Sequence, residues 1–595
     1  MALDKLDCEQ FHRGIVVGCH WIINNKIEIN SINVFPVADG DTGDNMASLA
    51  NAIIHFSSPQ LTLRETSKSI ADASIIGARG NSGMILAQFF NSLAENMPLE
   101  TIIEFDVFAH ILQTVSREVE ESIPNPVEGT ILTLIKQLAF ISQQIKNECS
   151  FELGMTKILP PLLLELQKTT HMLPEIKKSN VVDAGALGFY FFLEGFTQFL
   201  QNPQIENLKF DTNLTSLKPE HLFDNHSKEN HRYCTEAVLK SPSLDKNNIL
   251  NFLMKHGEHA LVTSNNDLCR FHVHTENPQI IFAHLCQQHT ILYPKVDDMR
   301  RQFEMNHAPK GNIALVSDSS ADLSQQLIDK HQIHLIPINI QMGQHQLLDK
   351  YCFEENDFYA NLNSFLHEYP KTSYPSLSVL EEKFGQLSKT YENVLVISVS
   401  KAMSGMYEAF IQAAKNYSNI TVIDSKTNSG AHGLLLNYAG ELIEAGQSIK
   451  QIIKQISNAI RTTYIYVAVN QFDSMVRSGR MSNFKGRIAT WSKLKPIVSV
   501  DCQGKGFIAG KSFSRSKALT KSINYLEQSI KKNDLKLEEY CIVHANAESE
   551  ALEFAKITSQ RFNKSPLYVK PVSLAIGLHA GQGCVALAAR LNSLS

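Results

Sequence analysis

The sequence predicts a multidomain protein with an all-α N-terminal region, a small α/β unit in the middle and a two-lobed α/β region at the C-terminus. Three observations carry this. From Gln10 to about Phe199, apolar residues recur three and four positions apart with few alternating stretches, the period of amphipathic helices. From 201 to 231 the periodicity disappears into Asn, Lys, Glu and Pro, which suits a linker. From Ile313 onward, short β-branched runs alternate with helical stretches, the pattern of parallel α/β architecture. At 595 residues and roughly 150 residues per domain, a single core is excluded.

In order, the helical region includes FHRGIVVGCHWIINNKI, ASLANAIIHF, MILAQFFNSLAENM, FAHILQTVSREVEESI, PVEGTILTLIKQLAFISQQI and a run ending in GFYFFLEGFTQFL. The middle unit, 232–306, reads as a helix (LDKNNILNFLMKHG), two strands (HALVTS and CRFHVHT) and a second helix (NPQIIFAHLCQQH). MNHAPKGN makes a second break, and the C-terminal strands are IALVSDSS, HLIPINI, VLVISVS, ITVID, TYIYVAVN and YCIVHA. The expected domains are therefore 1–200, a linker at 201–231, 232–306 and 311–595.

Composition narrows the function. With 43% apolar and 19% charged residues the chain has material for several cores. Lys+Arg 55 against Asp+Glu 60 leaves a net charge of -5, so no basic field exists to hold nucleic acid. The start, MALDKLDCEQ, lacks an apolar core segment, and no run approaches about 18 apolar residues, so a cytoplasmic protein without a transmembrane segment is expected. The ten cysteines include no CxxC pair and read as reduced core residues.

Four glycine-rich helix starts lie in the helical region. NVFPVADGDTGDNM carries Asp39 and Asp41 on either side of Gly40, where a tight loop aims two carboxylates at one point, as a hard cation requires. GARGNSG, PVEGT and DAGALGF are helix starts whose bare N–H groups can cradle an anion. No Walker A or GxGxxG string is present. Together the four favour a metal–nucleotide site over a set of ordinary caps.

These motifs, in this order, resemble the dihydroxyacetone kinase L-subunit family, in particular the ATP-binding subunit of bacterial fatty acid kinase. The resemblance implies an antiparallel helical barrel binding ATP through magnesium. Asp39 and Asp41 would be the catalytic metal ligands, with Asn33 a third. Thr42, Gly43, Asn45, Met46, Gly80, Asn81, Ser82, Gly83, Thr130 and Asp183 would surround the nucleotide. Against the family string VPDGDTGTNM, Ala38 replaces a proline and Asp44 a neutral residue; a carboxylate beside triphosphate must either meet a metal or repel the ligand.

YCTE, FHVHT and KVDDMRRQ resemble the middle domain of the same kinase subunit. Residues two apart on a strand share a face, so His272 and His274 can ligate one metal with Cys234 as a third ligand, a donor set that fits zinc. An HxH pair is also commonly structural, and both readings stand.

In the C-terminal region SDSSADL, TSYPS, SKAMSGMY, IDSKTNSG, SGRMS and IGLHAGQG fall mostly at predicted strand ends, where α/β domains gather ligand groups. In this order they resemble the DegV family of fatty-acid-binding proteins. The resemblance implies two α/β lobes around an acyl chain, with Thr372, Ser373, Ser404, Gly405, Arg480 and His579 at the carboxylate. Hydroxyls, a cation and an imidazole can hold a carboxylate without covalent bonding. Tyr374, Met406 and HAGQG depart from the family's usual residues.

The expected protein is a fatty acid kinase with kinase and lipid-carrier domains in one chain, making acyl phosphate from ATP and a bound fatty acid. A phospholipid acyltransferase is the expected recipient, a homodimer the expected assembly, and any membrane contact peripheral. The alternatives are a dihydroxyacetone kinase-like phosphotransferase and a non-catalytic fatty-acid carrier or sensor.

Overall fold

The computed structural model describes residues 3–35, 40–146, 150–204, 231–265, 267–362, 369–470, 474–475 and 494–593. Most of the expected linker thus lies outside the described residues, as do Asp39 and Arg480. The chain divides into two compact units, Met1–Phe303 and Glu304–Ser595.

In the first unit the apolar stripes become long helices: Cys8–Asn24, Thr42–Phe56, Leu63–Gly77, Gly80–Asn96, Phe105–Glu121, Ile131–Ile145, Phe151–Lys168 and Ala184–Gln201. Each packs beside the next, and Ala184–Gln201 returns to Cys8–Asn24 to close an antiparallel ring. Local chemistry fixes the starts. Asp7 and Thr62 form capping boxes with Gln10 and Glu65, which satisfies N–H groups that a helix start leaves without partners. The ring closes at glycine: a methyl on Gly18 would lie 2.6 Å from the Phe192 carbonyl oxygen, and one on Gly195 would lie 2.9 Å from the Gly18 Cα. Among the described residues, one short antiparallel ladder, Lys5–Asp7 with Ile102–Glu104, is the exception to an all-α region.

The same unit carries a four-stranded antiparallel sheet in the order Glu258–Ser264, Leu268–Thr275, Tyr233–Lys240, Thr290–Asp298. Leu261 of this sheet joins the core of the helical ring. Asn91 donates to the Ser264 carbonyl at 3.1 Å, so sheet and helices share both apolar and polar contacts.

The second unit has the expected α/β class, and its sheets are only partly parallel. One sheet is parallel, ordered Ile420–Asp424, Asn393–Ser398, Ile313–Asp318, His334–Ile336. The six-stranded sheet is antiparallel except where Leu535–His544 meets Val569–Pro571. Alternating strands and helices look the same in sequence in both cases. The difference arises because the last strand, Val585–Ser593, inserts between Thr463–Ala468 and Leu535–His544. HLIPINI also splits at Pro337 into His334–Ile336 and Asn339–Met342, which belong to different sheets. Proline has no N–H to give a ladder.

Among the described residues no helix is long and apolar enough to cross a membrane, and the cysteines are free thiols.

Candidate active site

Four helix starts gather at one end of the ring. Asn33 Oδ1 accepts the Thr42 N–H at 2.9 Å and the Thr42 hydroxyl, fastening the incoming loop to the helix that follows. Asp41, just before that helix, accepts from Asn45 Nδ2 at 2.7 Å. Asn45 in turn lies against Gly80, whose φ of +57° suits glycine and where a methyl would meet Asn45 Nδ2 at 2.6 Å. Ser82 reaches the start of the last helix, since a methyl on Gly185 would be 2.5 Å from its Oγ. Asp183 accepts the Ala186 N–H at 2.7 Å and also that of Ile131, joining two further helix starts. Converging N-termini present N–H groups and positive dipole ends to an anion.

A face of the antiparallel sheet closes the site. In register, His274, Cys234 and Asp297 form one cross-strand row, and His272, Glu236 and Lys295 form the next. With Asn33, Phe35, Asp41, Thr42, Asn45, Gly80, Asn81, Ser82, Met299 and Gln302 they line a cleft. Described residues of NVFPVADGDTGDNM and of the Cys/His cluster, separate in the sequence, therefore line one cleft.

Glu236 joins the two sides. Its Oε1 accepts from Gly80 N–H at 2.6 Å and from His272 Nδ1 at 2.7 Å, and its Oε2 receives Arg270 Nη2 at 3.1 Å. Arg270 Nη1 donates to the Ile76 carbonyl at 3.1 Å. The carboxylate thus meets the positive start of Gly80–Asn96 and the guanidinium meets the negative end of Leu63–Gly77, gripping the turn between them in the sense both dipoles favour. Burial alone would raise the Glu236 carboxyl, but His272, Arg270 and Lys295 outweigh it and hold it well below the usual carboxylate range.

The other charges follow from the same crowding. Burial, then the Glu236 charge, pushes the Cys234 thiol well up. Burial, then His272 and His259, pushes His274 down to about 2, so its imidazole is neutral. Burial opposes the Lys295 ammonium, yet Asp297 at 2.6 Å and Glu236 keep its pKa raised.

The donor set fits zinc: ligand atoms of Cys234, His272 and His274 lie within 4.8 Å of one another. His272 gives Nδ1 to Glu236 and leaves Nε2 buried without a partner, as a metal-binding imidazole oriented by a carboxylate would. For magnesium, Asp41 is placed at the cleft and Asp39 lies outside the described residues.

Asp44 does not line the cleft. Lys26 Nζ at 2.8 Å and Asn30 Nδ2 at 2.7 Å pair with its two oxygens, so its charge is met within the fold. Gly43, Met46, Gly83, Thr130 and Asp183 also lie outside the cleft lining: Met46 is fully buried against Gly188, while Thr130 and Asp183 cap helices. Sequence reasoning missed Phe35, Glu236, Lys295, Asp297, Met299 and Gln302. A signal for the strand residues existed: CTE and KVD repeat the two-residue spacing of HVH, which puts each pair on one face.

In the second unit Thr372 Oγ1 lies 3.1 Å from His579 Nε2, bringing TSYPS and HAGQG together. Gly405 lies against the Tyr374 ring, 3.1 Å from where its methyl would be, so SGMY adjoins as well. Ser373 is exposed on the strand Lys371–Ser373, and Ser404 Oγ accepts the Met406 N–H at 3.3 Å. SDSSADL does something else. Asp318 accepts the Val399 N–H at 2.8 Å. Asp322 accepts the Ser573 N–H and the Ser429 hydroxyl, both at 2.6 Å. These carboxylates brace the fold.

Three families match separate stretches of the chain. A DAK2 domain matches residues 36–198, a FakA-like middle domain of fatty acid kinase matches 230–306, and the DegV family of uncharacterised proteins matches 312–591. The chain therefore carries, in this order, regions similar to a DAK2 domain, a FakA-like middle domain and a DegV domain. An uncharacterized protein of Staphylococcus saprophyticus is 31% identical over 315 residues, 50% of this chain and 56% of the relative. One of Staphylococcus aureus is 30% identical over 318 residues, 50% and 57% respectively. The chain thus spans little more than half the length of these relatives. Among solved structures, DegV, a fatty acid binding protein from Bacillus subtilis, is 27% identical with a TM-score of 0.43, covering 47% of this chain and 100% of that one.

Proposed function

We propose that the chain is an ATP- and magnesium-dependent fatty acid kinase that forms acyl phosphate and ADP, with residues 1–200 binding nucleotide, 232–306 completing the site and 311–595 carrying the lipid. The observation that carries this reading is the single cleft in which Asp41, the start of Gly80–Asn96 and the Cys234/His272/His274 cluster meet. The name of the family matching 230–306 supplies the substrate class.

A carboxylate is already ionised near neutral pH, so transfer to it requires positioning and charge neutralisation rather than a strong base. Asp39 and Asp41 would hold magnesium, with Asn33 shaping the loop through Thr42. Cys234, His272 and His274 would hold zinc. Bound there, the two kinds of metal ion would supply Lewis-acid charge to phosphoryl oxygens. Helix-start amides of Asn81 and Ser82 would receive phosphate oxygens, while Gly80 N–H stays with Glu236. In the second unit Thr372 and His579, with Ser373, Ser404, Gly405 and Arg480, would orient the fatty acid carboxylate. A homodimer, a cytoplasmic location and a phospholipid acyltransferase as recipient belong to the same reading.

The carrier-only alternative drew on Asp44, and the Lys26 and Asn30 partners of that carboxylate favour the kinase reading over it. A dihydroxyacetone kinase-like activity leaves the DegV domain without a role. The test combines the purified chain with ATP, magnesium and oleate, and traps acyl phosphate as hydroxamate. ATP-dependent hydroxamate that disappears in Asp39→Ala supports the kinase; bound lipid without turnover would return the carrier reading, and phosphorylation of dihydroxyacetone would replace the substrate.

A further inference from the structure

The described residues that line the cleft include three carboxylates, Asp41, Glu236 and Asp297, against one ammonium, Lys295. A nucleotide triphosphate brings more negative charge into that space, and the transferring phosphoryl group must be neutralised as it moves. Arg270, the guanidinium bound to Glu236, is committed to that carboxylate and to the Ile76 carbonyl. Lys295 differs. It stands directly across the ladder from Glu236, its side chain is 24% exposed, and Asp297 Oδ2 holds its Nζ from 2.6 Å on the next same-face position of the same strand.

We propose that Lys295 is a catalytic residue of phosphoryl transfer, its ammonium meeting the oxygens of the γ-phosphoryl group, with Asp297 as the positioning residue that aims it. The inference rests on the kinase reading and assigns a role to the one ammonium among the described residues that line the cleft. In the step it serves, a carboxylate oxygen forms a bond to the γ-phosphorus while the bond from that phosphorus to the β–γ bridging oxygen breaks. The electron pair leaves with ADP, and no proton has to move. A fixed ammonium beside the three peripheral oxygens stabilises charge during that exchange without reorganising water.

The experiment uses the full chain and its Lys295→Met and Lys295→Arg variants. It measures the equilibrium affinity for Mg·ADP, the added affinity when fluoroaluminate completes Mg·ADP as a mimic of the moving phosphoryl group, and kcat for acyl phosphate. Lys295→Met is expected to lose about 10²–10³ in kcat and most of the fluoroaluminate gain, while Mg·ADP affinity stays within about threefold and Lys295→Arg recovers part of the loss. An unchanged kcat and fluoroaluminate gain overturns the proposal. So does an equal loss in Mg·ADP affinity and kcat, since that marks a merely structural or uniform-binding role. If the unaltered chain makes no acyl phosphate yet shows a Lys295-dependent fluoroaluminate gain, the fatty acid reading fails and the lysine's role stands. If it binds no nucleotide, both fail.

Discussion

The DGDTGDN loop of the first unit and the SDSSADL segment of the second are alike in composition, and the fold uses them in opposite ways. Asp41 stands before a helix, accepts from Asn45 Nδ2 and faces a cleft. Asp322 has both oxygens bound by a buried amide and a buried hydroxyl. An acidic loop becomes a candidate site when the surrounding backbone sets the carboxylate at a cleft that an outside partner can enter. It becomes a brace when it is enclosed and the fold supplies its donors. Asp44 shows the same distinction within the first unit, three residues from Asp41, with Lys26 and Asn30 meeting its charge.

The sharpest test of that contrast is Asp41→Asn against Asp322→Ala. Asp41→Asn keeps side-chain volume and removes a metal-binding charge, so acyl phosphate formation should fall by about 10³-fold or more with an unchanged unfolding midpoint. Loss of folding instead of activity would place Asp41 with the braces.

The next effect is a pH dependence of the first unit. Burial raises the Asp183 carboxyl to about 7 despite its bonds to Ala186, Ile131 and Gly185. A folded value above the unfolded one of about 4 means that the stability this group contributes is full below pH 4 and is lost as pH rises toward 7 and beyond. Protection of segment 184–201 from hydrogen exchange should therefore weaken over that window. Asp183→Asn should flatten the trend, because Asn caps a helix about as well as Asp without taking up charge. A slope that survives the substitution would assign it to other groups.

Asp322→Ala should act on the second unit alone. It leaves the Ser573 amide and the Ser429 hydroxyl, both nearly inaccessible, without an acceptor, at a cost of about 3 kcal/mol. Urea unfolding should show a lowered midpoint for that unit, with Mg·ADP affinity of the first unit unaltered. A matching loss of nucleotide affinity would show that the two units do not behave separately.

How much of this is readable in the sequence follows the same physical line. Helical periodicity and glycine-rich helix starts are local properties, so the ring of helices, the Asp41 loop and the helix start in GARGNSG are legible from the amino-acid pattern, while Thr42, Asn45, Asn81 and Ser82 are named only through the resemblance to the kinase family. HVH announces a two-residue strand period and leads to His272 and His274. Glu236 and Lys295 carry the same spacing, but their importance depends on cross-strand register and on Gly80, 156 residues away from Glu236. No local pattern encodes that meeting. Sheet direction in the second unit is hidden for a related reason, because the insertion of the final strand between two earlier ones is a choice of pairing partners. Asp44 misleads because Lys26 and Asn30 lie one helix earlier in the chain.

The smallest effect is expected at Thr372, and it completes the contrast. Thr372→Val is close in shape and removes one hydroxyl, which lies 3.1 Å from His579 Nε2. Neither residue is fully buried, so water can replace the lost partner and the fold should lose less than about 1 kcal/mol. Asp322 and Thr372 thus both give up hydrogen bonds in one unit, but only the former strands buried donors. If Thr372 and His579 orient a carboxylate, fatty acid affinity should fall by about five- to tenfold, the weight of one hydrogen bond. Calorimetric titration with oleate measures this directly. Unchanged affinity would turn the Thr372–His579 bond into another brace, and a large stability loss without an affinity change would do so more strongly.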